Sequence, residues 1–252
     1  MCGFFGLQSF QLGKEKKIAV SKKATELLHE RGPDFRDIWI GDDDNLIFSH
    51  NRLSILDLSE SGNQPMVSSS GNLVIIFNGE IYNHLIIRKS LEDEFKFKNW
   101  RGTSDTETLI QAIELWGIEK TLNKINGMFA FAIWNKKKKL LCLARDRFGE
   151  KPLYYGWISE INTFVFGSDL IFDKIFKDIN FKINENALND LIHLNYINNE
   201  QSIFKNIKKI KPGYFASIFF DKNSIPKIKH DFYWNKEKII LDKHKNNLKS
   251  FD

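Results

Sequence analysis

The chain opens with the stretch Met1-Cys2-Gly3-Phe4-Phe5-Gly6, in which a cysteine directly follows the initiator methionine. Removal of Met1 would leave Cys2 with both a thiol and a free α-amine. A thiolate is the nucleophile of cysteine chemistry, and an α-amine with a pKa of about 8 can act as a base near neutral pH. The stretch therefore predicts either a self-sufficient N-terminal nucleophile or an ordinary residue after a start codon, and the rest of the chain must decide between them.

The composition is that of an ordinary globular protein. The 252 residues are 42% hydrophobic and 13% aromatic, which is enough for a sizeable core. The net charge of +5 is spread over short lysine groups, so we expect a solvated basic surface and no nucleic-acid partner. No apolar run approaches the roughly 18 residues of a membrane span, so we expect no membrane partner. The only cysteines, Cys2 and Cys142, exclude a disulfide framework and favour the cytoplasm.

Short strands dominate the predicted secondary structure. They span residues 3–10, 37–40, 45–49, 72–77, 128–134, 140–144, 153–157, 163–166 and 214–220. The predicted helices span residues 18–30, 82–92, 106–116 and 185–194. Strands enclosed by helices in a chain of this size predict an α+β layered domain in which mainly antiparallel sheets pack on each other. The lysine-rich run of residues 135–139 between two strands predicts a hairpin tip.

Two residues after an apolar segment are candidates for an oxyanion hole. Asn78 and Gly79 follow the segment 73–77, so we expect them at a strand end where the backbone approaches a ligand. An asparagine amide and a glycine N–H together form a two-donor oxyanion site. The same dipeptide is the commonest hairpin turn, and taken alone it favours the turn.

Arg52 and Asp105 are candidates for binding a charged substrate. Arg52 closes a predicted strand and can form a bidentate pair with a carboxylate, although a surface arginine is the simpler interpretation. Asp105 either binds a substrate ammonium group or caps the following helix, and by itself the cap is favoured. His50 is not predicted to be a metal ligand, because no ligand cluster of suitable spacing accompanies it.

These signals occur among short motifs that follow one another along residues 2–220. The motifs are Cys2-Gly3 with Phe5-Gly6, Arg31-Gly32-Pro33-Asp34, His50 with Arg52-Leu53-Ser54-Ile55 and Asp57, Gly62 with Gln64-Pro65, Asn78-Gly79-Glu80-Ile81-Tyr82-Asn83, Ser104-Asp105, Gly127-Met128-Phe129-Ala130-Phe131-Ala132, Arg145-Asp146 with Gly149, and Pro152-Leu153-Tyr154-Tyr155. In these motifs the chain resembles the glutaminase domain of class II, N-terminal-nucleophile amidotransferases, and most closely that of glutamine-hydrolysing asparagine synthetases.

The resemblance implies a fold and a reaction. The fold is the four-layer α/β/β/α N-terminal-nucleophile hydrolase fold with two packed, mainly antiparallel sheets. The reaction is hydrolysis of L-glutamine through a thioester on Cys2, whose α-amine passes a proton to the departing ammonia. Asn78 and Gly79 would bind the oxyanion.

The resemblance also implies how glutamine is held. Arg52 would bind the α-carboxylate, and Glu80 and Asp105 would orient the α-amine. The backbone carbonyls of Leu53 and Ile55 would add further contacts. No metal and no cofactor is expected for this half-reaction.

The remainder of the chain predicts a connection to a second domain. Residues 236–252 are polar and lysine-rich, so we expect the glutaminase domain to occupy residues 2–220 and residues 221–252 to be a linker and the start of a C-terminal synthetase domain. The pyrophosphate-binding motif Ser-Gly-Gly-x-Asp-Ser of that domain does not occur in this sequence, so ATP and magnesium are expected only there. The resemblance allows a homodimer of the longer protein.

The sequence leaves three alternative functions open. The chain could belong to an amidotransferase that amidates a carboxylate other than that of aspartate. It could instead be a non-catalytic module that binds glutamine or regulates a partner, or, on net charge alone, it could bind nucleic acid. Gly167-Ser168-Asp169 departs from the serine-glutamate pair usual in the family, and Glu150-Lys151 carries no assignment. Cys142 shares a strand face with Leu140 and Ala144, which predicts a buried structural thiol.

Overall fold

The computed structural model describes residues 1–198, 200–222 and 225–235, and every strand pairing in these ranges is antiparallel. The strands are β1 (Gly3–Ser9), β2 (Phe35–Ile40), β3 (Leu46–Arg52), β4 (Met66–Val67), β5 (Leu73–Ile81), β6 (Gly127–Asn135), β7 (Leu140–Arg145), β8 (Tyr154–Ile158), β9 (Thr163–Gly167), β10 (Ile207–Lys209), β11 (Tyr214–Phe219) and β12 (Lys227–Phe232). The α-helices are α1 (Lys14–Leu27), α2 (His84–Phe95), α3 (Asp105–Trp116), α4 (Ile118–Lys124), α5 (Phe172–Ile175) and α6 (Glu185–Leu194).

In the described part of the chain, the strands form two six-stranded sheets. The first sheet has the order β10-β8-β9-β1-β3-β2, and the second has the order β12-β11-β7-β6-β5-β4. Because β1 lies between β9 and β3 and is buried along its whole length, the residue before it is held at the end of a central strand. In the second sheet β4 pairs only with Val74 and Ile75 of β5, so the same edge of β5 is open from residue 76 onward.

Alternate side chains of the buried strands enter different hydrophobic clusters, and this defines the layers. Phe4 packs between the two sheets together with Ile76, whereas Phe5 packs on α1 and α5. Phe77 faces away from the first sheet and packs against α2, α3 and α4. Full burial of a phenylalanine contributes roughly 1.5–3 kcal/mol, so Phe4 and Phe5 together anchor the start of β1. The predicted α/β/β/α order of layers and the α+β class are confirmed.

The prediction that a strand ends at residue 77 is wrong. β5 continues through Asn78 and Gly79 to Ile81, because β6 pairs with it along its whole length. Gly79 lies opposite Phe129, where an added Cβ would overlap the carbonyl oxygen of Met128. The Asn78-Gly79 dipeptide is therefore neither a strand end nor a hairpin turn. The hairpin tip predicted at residues 135–139 does connect β6 to β7, with Asn135 as the last residue of β6.

The helices follow the predicted pattern with shifts at their ends. The helix predicted over residues 185–194 coincides with α6, whereas α1 begins at Lys14 and α4 was not predicted. The Oγ of Ser104 accepts the Glu107 N–H at 3.2 Å, so Ser104 caps α3, and the predicted capping role of Asp105 is wrong. Of the residues described, none lies in a helix with the length and apolar character needed to traverse a lipid bilayer.

The fold continues into the stretch that we assigned to a linker. β12 pairs with β11 over its full length, and the buried Tyr233 donates from its hydroxyl to the carbonyl of Arg145 at 2.8 Å. β12 is a sheet edge rich in charged residues, which is why its sequence resembles a solvated linker. Residues 236–252, the remainder of the predicted linker, lie outside the described residues.

Candidate active site

One pocket brings together the residues that the sequence predicted for the site. It lies where the start of β1, the end of β3, the second half of β5 and the start of α3 meet. The predicted residues that line it are Cys2, Arg52, Leu53, Ile55, Asn78, Gly79, Glu80 and Asp105. The pocket is also lined by residues for which the sequence predicts no role in the site, namely Met1, Leu56, Asp57, Gly62, Gln64, Phe77, Ser104, Thr106, Met128 and Lys151.

The Cys2 thiol and the Cys2 backbone are each held by a neighbouring residue. The Leu53 N–H donates to Sγ at 3.4 Å, and Sγ lies 3.7 Å from the Leu53 carbonyl oxygen. Arg31 Nε donates to the Cys2 carbonyl oxygen at 3.3 Å, and the Arg31 guanidinium pairs with Asp169 at 3.2 Å. The aspartate that departs from the family pattern thus supports the arginine that holds the backbone of Cys2.

Burial raises the pKa of the Cys2 thiol above its ordinary value. The Leu53 N–H and the positive charges of the amino terminus and Arg52 act in the opposite direction without cancelling this effect, and Asp105 adds to it. The thiol is therefore protonated at neutral pH and needs a base before it can attack a substrate. Removal of Met1 would create such a base on the same residue.

Asn78 supplies a buried amide donor that no atom of the described residues accepts. Its side chain is 1% exposed, and its Nδ2 has no hydrogen-bond partner there. An unpartnered buried polar group typically costs about 1–3 kcal/mol, a cost that an acceptor on a bound ligand would remove. Because Asn78 lines the same pocket as Cys2, its amide suits a carbonyl oxygen under attack by the thiol.

The Gly79 N–H is a second donor at this edge of β5. Gln64 Oε1 accepts the Phe77 N–H at 2.6 Å, and Asp105 Oδ2 accepts the Ile81 N–H at 2.8 Å. In a strand the N–H groups of alternate residues point to the same edge, so the Gly79 N–H points into the gap between Gln64 and Asp105. Gln64 and Asp105 thus accept the hydrogen bonds that a longer β4 would accept, and they fix β5 on either side of Gly79.

His50 connects the two sheets beside this site. It is fully buried on β3, and its Nε2 lies 3.1 Å from the Phe77 carbonyl oxygen on β5. Burial lowers the pKa of His50 to about 4, with a smaller contribution from the charge of Arg52, so the ring is neutral at pH 7. A carbonyl can only accept, which places the hydrogen on Nε2. Phe77 is thus held at its N–H by Gln64 and at its carbonyl by His50.

The Arg52 guanidinium is buried against a loop. Nη1 donates to the Ser59 carbonyl and to Asn63 Oδ1, each at 2.7 Å, and Nη2 donates to the Asp57 carbonyl. Gly62 packs on the guanidinium so closely that an added Cβ would overlap it. Three of the five N–H groups of the guanidinium are bound within the described residues, which leaves two for a carboxylate.

The Asp57 carboxylate fixes this loop. It accepts the Ser59 N–H at 2.9 Å, the Ser59 hydroxyl at 2.6 Å and the Thr103 N–H at 2.7 Å. Burial alone would raise the pKa of Asp57, but these hydrogen bonds outweigh burial and lower the pKa to about 2. Asp57 is therefore ionised at neutral pH, and its backbone carbonyl is held in place beneath Arg52.

Two carboxylates on adjoining elements give the pocket a negative side. Asp105, at the start of α3, is 6% exposed, and burial raises its pKa. Glu80 of β5 also lines the pocket, and its carboxylate has no hydrogen-bond partner among the residues described. Arg52 on one side and Asp105 with Glu80 on the other match the opposite charges of a free amino acid.

Comparison with known proteins identifies the same fold and the same kind of domain. The solved structure of glutamine phosphoribosylpyrophosphate amidotransferase from Bacillus subtilis, complexed with ADP and GMP, aligns with 92% of this chain and 49% of its own at a TM-score of 0.62 and 17% identity. Glutamine-hydrolysing asparagine synthetase 3 of B. subtilis is 35% identical over 242 residues, which cover 94% of this chain and 37% of the relative. A putative glutamine-hydrolysing asparagine synthetase 2 of Methanocaldococcus jannaschii is 36% identical over 265 residues, 97% of this chain and 49% of the relative.

The fold is that of the solved amidotransferase described above, and the class of protein is a glutamine amidotransferase domain. The family model of the glutamine amidotransferase domain matches residues 1–234, and the chain belongs to this family. The chain spans about half the length of the asparagine synthetases it matches, or less.

Proposed function

We propose that this domain, once Met1 is removed, hydrolyses L-glutamine to glutamate and ammonia through a thioester on Cys2. Sγ adds to the carbon of the side-chain amide while the thiol proton passes to the α-amine of Cys2. The Asn78 amide and the Gly79 N–H bind the oxyanion. The C–N bond then breaks, and ammonia leaves with the proton that the α-amine returns. Water hydrolyses the thioester, which releases glutamate and restores the thiol.

The observation that carries this proposal is the unpartnered Nδ2 of Asn78 in the pocket lined by Cys2. A buried donor without an acceptor is costly in the free protein and favourable only when an acceptor arrives. The oxygen of a tetrahedral intermediate on Cys2 is such an acceptor, and it is a better one than the neutral amide oxygen because it carries a charge. The arrangement therefore favours the transition state over the substrate.

The charges of the pocket account for selection of glutamine. The two remaining N–H groups of Arg52 bind the α-carboxylate, and Asp105 and Glu80 bind the α-ammonium group. The carbonyls of Leu53 and Ile55 add contacts. With both ends of the amino acid fixed, the side-chain amide extends toward Sγ. A substrate without the α-charges would leave buried charged groups unpaired, which makes the site selective.

The proposed half-reaction uses no metal and no cofactor. The α-amine supplies the base, and two N–H donors supply the electrostatic stabilisation that a Lewis acid would otherwise provide. In the described residues no group of three or more His, Cys, Asp and Glu side chains has the geometry of a metal site. ATP and magnesium belong, in this proposal, to a synthetase domain of the longer protein.

We further propose that the ammonia serves an ATP-dependent C-terminal synthetase domain that converts aspartate to asparagine. The names of the two relatives described above support this acceptor, and so does the share of their length that the present chain spans. The proposed compartment is the cytoplasm, because both cysteines are free and the nucleophile must stay reduced.

Intact-protein mass spectrometry with a diazoketone analogue of glutamine tests the proposal. We expect loss of Met1 and one adduct on Cys2, with protection by L-glutamine and not by D-glutamine. The Cys142→Ala variant should still be labelled, and Cys2→Ala should not. Retention of Met1 together with no adduct would refute the nucleophile. An adduct without release of glutamate from glutamine would favour the non-catalytic binding module.

A further inference from the structure

Lys151 is a buried lysine of the pocket to which the reaction above gives no role. Its side chain is 5% exposed, and within the described residues no carboxylate lies within ion-pair distance of its Nζ. Nζ instead contacts the sulfur of Met1 at 2.6 Å. A thioether sulfur is a weak acceptor, so the ammonium group is poorly satisfied before Met1 is removed.

The backbone of Lys151 is fixed, so the position of its side chain is not that of a mobile surface lysine. The Lys151 N–H donates to Asp146 Oδ2 at 3.0 Å, and the Lys151 carbonyl accepts Arg145 Nε at 2.8 Å. Arg145 is the last residue of β7 and Asp146 follows it, so the loop that carries Lys151 is attached to the second sheet. The lysine therefore projects into the pocket from a rigid support.

The contact with Met1 places the ammonium group close to the future α-amine. The bonds of one methionine residue span at most roughly 6 Å between its sulfur and the nitrogen of Cys2. Lys151 Nζ consequently lies within roughly 9 Å of the atom that becomes the α-amine. When Met1 leaves, the Lys151 ammonium loses its only acceptor among the described residues and is left within roughly 9 Å of the newly freed nitrogen.

We propose that Lys151 is a positioning residue that keeps the α-amine of Cys2 in its neutral, basic form. The ammonium group repels a second positive charge on the amine, which lowers the share of the protonated form and leaves the lone pair free to accept the thiol proton. The inference rests on the glutamine hydrolysis proposed above, in which that amine is the base. It extends the mechanism because a free α-amine is partly protonated at neutral pH and is then unable to accept the thiol proton.

The other charged groups of the pocket explain why this lysine is needed. The negative charges of Asp105 of α3 and Glu80 of β5 favour protonation of the α-amine, whereas the positive charge of Arg52 of β3 disfavours it. The carboxylate of Asp57 lies farther away, in the loop on the other side of Arg52. When glutamine binds, its carboxylate neutralises Arg52 and its ammonium group neutralises the two carboxylates. Arg31, which donates to the Cys2 carbonyl, is paired with Asp169, so Lys151 is then the unpaired positive charge left to hold the amine neutral during the reaction.

The pH dependence of kcat/KM for glutamate release tests the inference. In protein lacking Met1, Lys151→Met should move the acidic limb to higher pH by about 0.5–1.5 units, and Lys151→Arg should leave it close to that of the wild type. KM at high pH should change little, because Lys151 does not contact glutamine in the proposed complex. Lys138→Met, at the exposed hairpin tip, is the matched control. An unmoved limb in Lys151→Met, or an equal shift in Lys138→Met, would overturn the inference.

A second measurement does not depend on turnover. In the Cys2→Ser background without Met1, competitive acetylation by acetic anhydride at several pH values, read by mass spectrometry of the N-terminal peptide, gives the pKa of the α-amine. Adding Lys151→Met should raise this pKa. An unchanged pKa overturns the inference whether or not glutamine is hydrolysed. A raised pKa in a protein whose wild type does not hydrolyse glutamine supports the contact and refutes the proposed function.

Discussion

The two cysteines of this chain have the same side chain in opposite surroundings. Cys142 is buried in β7 among the apolar residues between the second sheet and its helices, and burial raises the pKa of its thiol far above the ordinary value. Burial also raises the pKa of Cys2, but there a backbone N–H and positive charges oppose the effect. Desolvation alone favours an inert thiol, whereas the backbone donor, the positive charges and the open pocket around the Cys2 sulfur are what the proposed nucleophile requires.

Replacing each cysteine by alanine, one at a time, should give the largest difference in the rate of glutamate release. Cys2→Ala removes the nucleophile and should lower the rate of glutamate release by about 10⁴-fold or more. Cys142→Ala should leave this rate unchanged, since β7 contributes its thiol to the core and not to the pocket. Coupled assay of glutamate measures both variants, with thermal unfolding as a check on folding. Residual turnover of more than one per cent in Cys2→Ala would mean that another group is the nucleophile.

The donors around Cys2 are the next point of contrast. Asn78→Ala should lower kcat by about 10²–10³-fold with a smaller change in KM, because the amide binds the oxyanion more strongly than the substrate carbonyl. Asn123→Ala, on the exposed face of α4, is the control and should behave as the wild type. Steady-state kinetics with glutamine provide both constants. A rise in KM with kcat preserved would instead assign Asn78 to substrate binding.

Alkylation by iodoacetamide should separate the two thiols in the folded protein. The thiolate is the reactive form, and the pKa of Cys2 is raised, so its rate should increase about tenfold per pH unit from pH 6 to pH 8 without levelling off. Cys142 should stay unmodified until the protein is unfolded. Peptide mass spectrometry of protein that retains Met1, the form to which the raised pKa applies, reports the two sites separately. A plateau below pH 8 would show that the pKa of Cys2 is lowered instead.

The smallest expected effect is on stability. Cys142→Ala removes a buried sulfur atom and should reduce the free energy of unfolding by about 1 kcal/mol. Cys2→Ala, at the end of β1 and beside an open pocket, should change it by less. Urea denaturation followed by tryptophan fluorescence measures both changes. Equal losses in the two variants would mean that the surroundings of Cys2 are packed as tightly as the core.

The sequence allowed prediction of the residues whose chemistry is visible in short motifs. Cys2, Arg52 and Asp105 were assigned in this way, and the structure places them in one pocket. Gln64 and Lys151 were not assigned, although Gln64 lay within a matching motif. Their positions depend on contacts between distant segments, namely the short pairing of β4 and the approach of the loop after β7 to the amino terminus.

The same dependence on contacts between distant segments explains the two segments of the fold that local sequence predicts wrongly. Asn78-Gly79 has the local signature of a turn, but pairing with β6 keeps it in an extended strand. β12 has the composition of a linker, but an edge strand requires little hydrophobic content. Local sequence therefore predicted the buried elements well and the tertiary pairing of polar segments poorly.

The proposed nucleophile and the proposed oxyanion donors belong to different sheets, because Cys2 precedes β1 and the two donors lie on β5. The distance between the Cys2 thiol and these donors therefore depends on how the two sheets are positioned relative to each other. A displacement of about 1 Å at a reacting centre can cost about 100-fold in rate. The hydrogen bond from His50 to Phe77 crosses that interface and resists the sliding motion. Any displacement of one sheet over the other would thus change the spacing between the proposed nucleophile and the proposed donors without a change to any residue of the pocket.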